Sequence, residues 1–170
     1  NERTEKDPIV IAGGPCATFN PEPLSLFIDA FIIGEGEETI NNFLDVYNDP
    51  SNENLSRKEL LFKLAQVPGV YVPCFYDHIY DENNKLSVIK TNDDVPQKVS
   101  RQWIRDLDAY DGKTVITTEN TEFNLFLIET SRGCGRHCRF CMAGYCFRKP
   151  RHRSLDKLLS YLPQAKNLNK

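Results

Sequence analysis

Residues 11–40 read IAGGPCATFNPEPLSLFIDAFIIGEGEETI, and this stretch decides the fold class of the 170-residue chain. One apolar run ends at Gly13-Gly14 and a second ends at Gly34, so each predicts a short buried strand followed by a tight turn. A helix is predicted between them, because Pro23 suits a first helical turn and the apolar residues that follow recur at helical spacing. This order indicates an α/β layer with a parallel sheet.

The next segments extend this pattern. Apolar residues at helical spacing predict a helix over about 37–48, and Ser56 with Glu59 forms the capping-box pattern at the start of another. Runs rich in Val, Ile and Tyr at 70–80 and 86–91 predict a hairpin.

The last part of the chain predicts a linker, a strand and a helix. Residues 92–124 are mostly polar and indicate a linker with one short strand at 114–118. The apolar run LFLIET, residues 125–130, predicts a buried strand. Ser154 caps a predicted final helix with an inward-facing leucine stripe. The stripe comprises Leu155, Leu158, Leu159 and Leu162.

Composition places the chain among ordinary globular proteins, with 40% hydrophobic residues, 26% charged residues and a net charge of -3. No apolar run approaches the roughly 20 residues that span a bilayer, and the charged first residues do not resemble a secretory signal. We therefore expect a cytoplasmic location, where clustered cysteines more often bind metal or carry out redox chemistry than form disulfides.

Residues 129–146 read ETSRGCGRHCRFCMAGYC and hold four of the six cysteines of the chain. Three of them follow the spacing C-x3-C-x2-C: Cys134, Cys138 and Cys141. A structural zinc ion takes four ligands, typically in two close pairs, and ferredoxin motifs use a shorter first gap. Three thiolates in this spacing favour a four-iron four-sulfur (4Fe-4S) cluster with one iron open to a small molecule. The alternative is a zinc site completed by Cys146 or His137.

The octapeptide CGRHCRFC closely resembles the cluster motif of the radical SAM superfamily, with Phe140 as the aromatic residue before the last cysteine. The resemblance implies that Cys134, Cys138 and Cys141 each bind one iron and that the fourth iron binds S-adenosylmethionine. It further implies reductive cleavage of S-adenosylmethionine to a 5'-deoxyadenosyl radical, with an electron donor such as flavodoxin or ferredoxin. Phe140 is then expected to help form the adenine pocket, chiefly through its backbone.

Residues 11–40 also resemble the second half of the cobalamin-binding-like domain that precedes the barrel in one large class of radical SAM enzymes. In relatives that bind cobalamin, the positions that match Gly13 and Gly14 lie near the nucleotide tail. The resemblance leaves cobalamin binding open, because the histidine that ligates cobalt comes from the first half of that domain, which this chain does not contain. A sheet that merely supports the barrel is the alternative.

The two resemblances together imply an arrangement of domains. Residues 1–67 correspond to the end of a doubly wound, cobalamin-binding-like α/β domain, residues 68–124 to a hairpin and linker, and residues 125–170 to the first βα unit of a partial TIM-like barrel. Because a full barrel needs roughly 200 residues or more, we expect the chain to be a fragment of a radical SAM oxidoreductase that is inactive alone.

The charge distribution supports a second interpretation. Seven of the 21 Lys and Arg residues lie between 132 and 153, a stretch without Asp or Glu, and this basic island predicts an anionic partner. Its sequence RKPRHR, residues 148–153, fits a nucleic-acid patch. The alternative function is therefore a zinc-binding nucleic-acid module, and a tRNA-modifying radical SAM enzyme would combine both interpretations. The residues do not specify the substrate.

Overall fold

The computed structural model describes residues 4–115 and 125–167 and divides the chain into two compact units, Asn1–Ile104 and Arg105–Lys170. The described residues form five α-helices and small sheets, which confirms the mixed α/β class. These residues contain no closed barrel, so the partial barrel stays a prediction, as do the domain assignments. No helix among the described residues has the length and hydropathy needed to cross a membrane.

A three-stranded sheet lies at the centre of the first unit. Strand β1 (Ile11–Ala12) pairs in parallel with β2 (Ala30–Ile32), and β2 pairs in antiparallel fashion with β3 (Val70–Tyr71). The parallel pair confirms the prediction from the two apolar runs. All three residues of β2 are buried, as expected for the central strand of a sheet that is covered by other elements.

The helix predicted after Pro21 is wrong in its position. Helix α1 (Gly14–Phe19) follows β1 directly, and only a short 3-10 helix (Glu22–Leu24) forms afterwards. Only the 3-10 turn forms because β2 follows closely: the Asp29 and Ala30 N–H groups both donate to the Val10 carbonyl, at 2.8 and 3.3 Å, so the chain has joined the sheet there. Phe27, which the predicted helix would bury, is 64% exposed.

The next two helices lie where the sequence predicts them. Helix α2 (Gly36–Tyr47) follows β2, and α3 (Arg57–Ala65) begins with the predicted capping box. The Ser56 side chain accepts from the Glu59 backbone N–H, and the Glu59 carboxylate accepts from the Ser56 N–H at 2.8 Å. The backbone N–H groups of Ser56 and Glu59 at the start of α3 thereby have hydrogen-bond acceptors, and the apolar face of the helix packs on the sheet.

The core of the first unit is a continuous cluster of buried apolar side chains. Its most deeply buried large members are Phe31, Leu64, Val70, Val72 and Phe75. Strands β4 (Tyr76–Tyr80) and β5 (Leu86–Thr91) follow this cluster as an antiparallel hairpin, which confirms the predicted hairpin. Its first strand begins at Tyr76 and not at residue 70, because β3 pairs with β2 in the central sheet.

The predicted linker is attached to the first unit at the end of β2. The Gln102 N–H donates to the Ile33 carbonyl at 2.9 Å, and the Glu35 N–H donates to the Gln102 carbonyl at 3.0 Å. Gly34 has a φ of +110°, and a Cβ at this position would lie 2.1 Å from the Gln102 carbonyl oxygen. The glycine after β2 therefore permits this close approach of two backbone segments.

In the described ranges, the second unit has four short elements and one longer helix. They are a 3-10 helix (Leu107–Ala109), β6 (Ser131–Arg132), α4 (Ala143–Cys146), β7 (Arg151–His152) and α5 (Leu155–Asn167). The predicted strand at 125–130 is wrong, because only an isolated bridge between Ile128 and Lys113 forms there. Part of the strand predicted at 114–118 lies outside the described residues.

The inward leucine stripe of the final helix is also wrong. Leu155, Leu159 and Leu162 are 68%, 50% and 50% exposed, whereas Tyr161 is 3% exposed. Tyr161 lies one position from the stripe, and its hydroxyl accepts from the Gly112 N–H at 3.2 Å, so its ring turns inward with a polar partner. Ser154 caps α5 as predicted, accepting from the Lys157 N–H at 3.1 Å.

Candidate functional site

The cysteine loop, residues 133–150, is closed at its base by a short antiparallel pair. Strands β6 and β7 pair through Ser131 with His152 and through Arg132 with Arg151. The Arg153 N–H extends this pairing by donating to the Thr130 carbonyl at 3.0 Å. These stems bring the two ends of the loop together and leave the cysteine side chains on the connecting segment.

Backbone hydrogen bonds shape the loop near its cysteines. The Cys134 N–H donates to the Phe147 carbonyl at 2.8 Å, which links the beginning of the loop to its end. The Cys141 N–H donates to the Cys138 carbonyl at 3.1 Å and forms a tight turn between those two cysteines. The Arg136 N–H lies 3.4 Å from the Cys134 Sγ, in the arrangement in which backbone amides donate to sulfur.

Gly133 is required where the loop begins. Its φ is +91°, and a Cβ at this position would lie 2.9 Å from the Phe147 carbonyl oxygen and 3.0 Å from that of Lys149. Gly144 meets a similar limit inside α4, because an added Cβ would lie 2.6 Å from the Arg136 carbonyl oxygen. Both glycines allow backbone to pack against backbone around the cysteines.

The thiols fit an iron–sulfur cluster in kind and number. Cys134, Cys138 and Cys141 are all free, and each is exposed or half-buried on the same loop. The structure does not gather them, since the described residues contain no group of three His, Cys, Asp or Glu side chains placed to hold a metal ion. Their identity as ligands therefore stays a prediction. Cys146, on α4, is also a free thiol.

Two arginines of the basic island converge on Glu129 at the base of the loop. Arg132 donates through Nε to one carboxylate oxygen at 2.7 Å, and Arg153 donates through a terminal nitrogen to the other at 2.6 Å. Partial burial raises the pKa of Glu129, but the hydrogen bonds from the two arginines lower it further, so its pKa lies below the usual range. This carboxylate remains ionised at neutral pH.

Arg153 has an inward position that the sequence analysis did not predict. Its side chain is fully buried, and it donates to the carbonyls of Leu107 and Tyr110 as well as to Glu129. The run RKPRHR predicted a basic segment facing an anionic partner, and the acid that pairs with this arginine lies 24 residues earlier. The pattern of charges near Arg153 in the sequence therefore does not predict its ion pair with Glu129.

The rest of the basic island is divided between internal contacts and the surface. Arg148 donates through Nε to the Gly144 carbonyl at 3.0 Å, and its guanidinium lies 5.2 Å from the centre of the Tyr145 ring. Arg136 and Arg139 are exposed. At least three basic side chains, including Arg132 and Arg153, thus take part in contacts within the second unit, which reduces the surface left for a nucleic-acid backbone.

The remaining predicted cofactor residues lie in both units. Phe140 is 93% exposed on the cysteine loop, next to Cys141. In the first unit, Gly13 and Gly14 form the turn between β1 and α1, and Gly14 has a φ of +86° with no atom within 4 Å of where a Cβ would lie. Sequence and structure agree on this turn, while the binding roles of Phe140, Gly13 and Gly14 stay predictions.

Comparison with known proteins gives a family match in the first unit and a longer similar protein. Residues 1–73 match the family described as radical SAM proteins, N-terminal. The chain is also 32% identical over 162 residues to uncharacterized protein MJ0966 of Methanocaldococcus jannaschii, a match that covers 95% of this chain and 29% of that protein. No solved structure is significantly similar. The family match supports a radical SAM-related protein, and the chain spans less than a third of its relative's length.

Proposed function

We propose that this chain is the part of a radical SAM oxidoreductase that binds a 4Fe-4S cluster through Cys134, Cys138 and Cys141. The observation that carries the proposal is the C-x3-C-x2-C spacing on one loop whose ends are held together by β6 and β7. The family match supports it independently, because residues 1–73 lie outside this loop.

The chain's own residues have distinct tasks in this proposal. The three thiolates hold three irons, and the fourth is left for S-adenosylmethionine. The Arg136 N–H next to the Cys134 sulfur stabilises negative charge on that ligand. Phe140 is exposed beside the last ligand, where it is available to help bind the adenine of S-adenosylmethionine. When bound, such a cluster supplies the electron that cleaves S-adenosylmethionine to methionine and a 5'-deoxyadenosyl radical.

In this proposal, residues 1–67 have the fold of the last part of a cobalamin-binding-like domain. Support comes from the parallel pairing of β1 with β2 and from the Gly13-Gly14 turn between β1 and α1. If cobalamin binds, these two glycines lie beside its nucleotide tail. The domain otherwise acts as a scaffold, and the substrate of the whole enzyme is left open by these residues.

Anaerobic reconstitution with iron and sulfide tests the cluster assignment. We expect about four irons per chain and a brown protein, since a 4Fe-4S cluster absorbs visible light. Cys138→Ala should reduce the iron content to about one per chain or less, because a thiolate ligand is removed. Cys16→Ala is the matched control, since Cys16 is an exposed free cysteine in the first unit and should leave the iron content unchanged.

The same experiment separates this function from a zinc module. Cys146→Ala should preserve the iron content, because Cys146 is not among the three proposed ligands. A colourless protein that binds one zinc ion per chain and loses it in the Cys146→Ala variant would contradict the proposal. We do not propose nucleic-acid binding, since Arg132, Arg148 and Arg153 are engaged in contacts within the second unit.

A further inference from the structure

We propose that Glu129 is the positioning residue that holds together the two stems of the cysteine loop, an inference that rests on the proposed function. Glu129 is not a predicted ligand, and it lies five positions before Cys134. Its carboxylate nevertheless contacts one arginine from each stem. Arg132 belongs to β6, which leads into the loop, and Arg153 follows β7, which leads out of it.

The carboxylate connects these stems to a fixed point in the second unit. The Arg153 guanidinium donates to the carbonyls of Leu107 and Tyr110, at the start of a 3-10 helix and just after its end. A Cβ on Gly112 would lie 2.3 Å from this guanidinium, so the backbone there packs directly against it. Arg153 is thus fixed in position, and because the Glu129 carboxylate binds both arginines, it also restricts the movement of Arg132.

Both oxygens of the carboxylate are needed for this link. Oε1 accepts from Arg132 and Oε2 accepts from Arg153, so a neutral amide of the same shape would offer one acceptor and turn its NH2 group toward a guanidinium. Replacing Glu129 by Gln should therefore break one of the two contacts and leave buried positive charge without its counter-ion.

A constrained pair of stems matters because the three thiols, within 134–141, belong to a loop that runs from 133 to 150 before the chain pairs again. Ordering a loop around a cluster costs conformational entropy, and part of that cost is already met when the loop ends are fixed. The stems contribute only two residues each to the antiparallel ladder, which is too short to fix the ends by itself. The Glu129 contacts supply the additional constraint.

Glu129→Gln tests the inference in the whole chain, with Asp111→Asn as the matched control. Asp111 is also a carboxylate of the second unit near two cations, Lys113 at 3.8 Å and Lys157 at 3.4 Å, but its side chain is 56% exposed. Among the described residues, its ion pairs and its hydrogen bond from Tyr161 involve neither β6 nor β7. The first readout is hydrogen exchange in iron-free protein, which needs no cluster. The Glu129→Gln variant should raise exchange at the Cys134 and Arg153 amides about tenfold or more, whereas Asp111→Asn should not.

The second readout is iron content after anaerobic reconstitution. We expect Glu129→Gln to retain less than about half of the wild-type iron and Glu129→Asp, which keeps the charge on a shorter side chain, to recover part of the difference. Electron paramagnetic resonance of the reduced protein should show a broadened signal only in the Glu129 variants. If Glu129→Gln fails to fold, Arg132→Gln replaces it, because that change cuts the link to β6 and keeps the Glu129–Arg153 contact.

Equal exchange and equal iron content in Glu129→Gln and Asp111→Asn would overturn the inference. Faster exchange with unchanged iron and an unchanged signal would overturn the link from the stems to cluster uptake and confine the role of Glu129 to the stems. A wild-type chain that takes up no iron would instead refute the proposed function. In that case, the exchange comparison would still decide whether Glu129 holds the stems together.

Discussion

Different interactions stabilise the interior of each of the two units. The first unit packs its central strand β2, the face of α3 and the residues around β3 into one continuous apolar cluster. Within its described residues, the second unit buries only two large apolar side chains, Leu107 and Tyr161, together with the charged Arg153. An apolar core supports the first unit, whereas hydrogen bonds and ion pairs carry much of the organisation of the second.

This difference affects how each unit responds to change. Burial of apolar surface is distributed over many contacts, so loss of one core side chain lowers the stability of the whole unit. A directed contact such as that between Glu129 and Arg153 acts locally and depends on charge. A region with few buried apolar contacts is expected to open more easily, which suits the proposal that this loop closes around a cofactor.

Leu64→Ala should produce the largest effect. Leu64 is fully buried in the first unit, and truncation of such a leucine typically costs about 3 to 5 kcal/mol of unfolding free energy because it leaves a cavity. Leu159→Ala on α5 is the matched control, since Leu159 is 50% exposed and should change the free energy by about 0.5 kcal/mol or less. Urea unfolding followed by circular dichroism measures both.

Similar losses for the two leucine variants would contradict the comparison. A cost at Leu159 as large as that at Leu64 would mean that α5 is supported by apolar packing, despite the exposure of Leu155, Leu159 and Leu162.

Sequence reasoning succeeded where apolar spacing decides the structure. The alternation of strands and helices around β2, the helix at α2 and the capping box at Ser56 all follow from local patterns that the structure confirms. It failed at 22–28, where the helical spacing of Leu24 and Phe27 yields only a 3-10 turn because the chain joins the sheet again at Asp29. It also failed at 125–130, where Leu125 and Leu127 are 58% and 54% exposed and the run pairs with 112–114 only through a single bridge within the described residues.

The candidate site was only partly predictable from sequence. The cysteine spacing is local and visible, so the loop and its proposed ligands are identified without the structure. The support beneath the loop is not local, because Glu129 and Arg153 lie 24 positions apart and meet only through the pairing of β6 with β7. Likewise, the leucine stripe of α5 predicts an inward face, yet the polar contact of Tyr161 decides which side turns inward.

Removing a helix cap should destabilise the protein less than Leu64→Ala, and the effect should be global in the first unit and local in the second. Ser56 caps α3 and Ser154 caps α5, so Ser→Ala at either position should cost about 1 kcal/mol. Because α3 packs on the core, Ser56→Ala should lower the free energy of unfolding of the first unit. Ser154→Ala should mainly raise hydrogen exchange in the first turn of α5, and global destabilisation without a local change there would count against this view.

The smallest expected effect is a pH dependence confined to the second unit. The pKa of Glu129 lies below its ordinary value of 4.5, because the hydrogen bonds from Arg132 and Arg153 outweigh the opposing effect of burial. Its contribution to stability is therefore fully present above that ordinary value and is lost as the pH falls below it, through the lower folded-state pKa. Hydrogen exchange at Cys134 and Arg153, corrected for intrinsic rates and followed as the pH is lowered from about 6 through the ordinary value of 4.5, should show falling protection in the wild type. In the Glu129→Gln variant, protection should depend less on pH, since the amide has no proton to gain. An identical slope in both proteins would assign the pH dependence to another carboxyl group. Asp108 is one such group, because hydrogen bonds from Ser154 also lower its pKa.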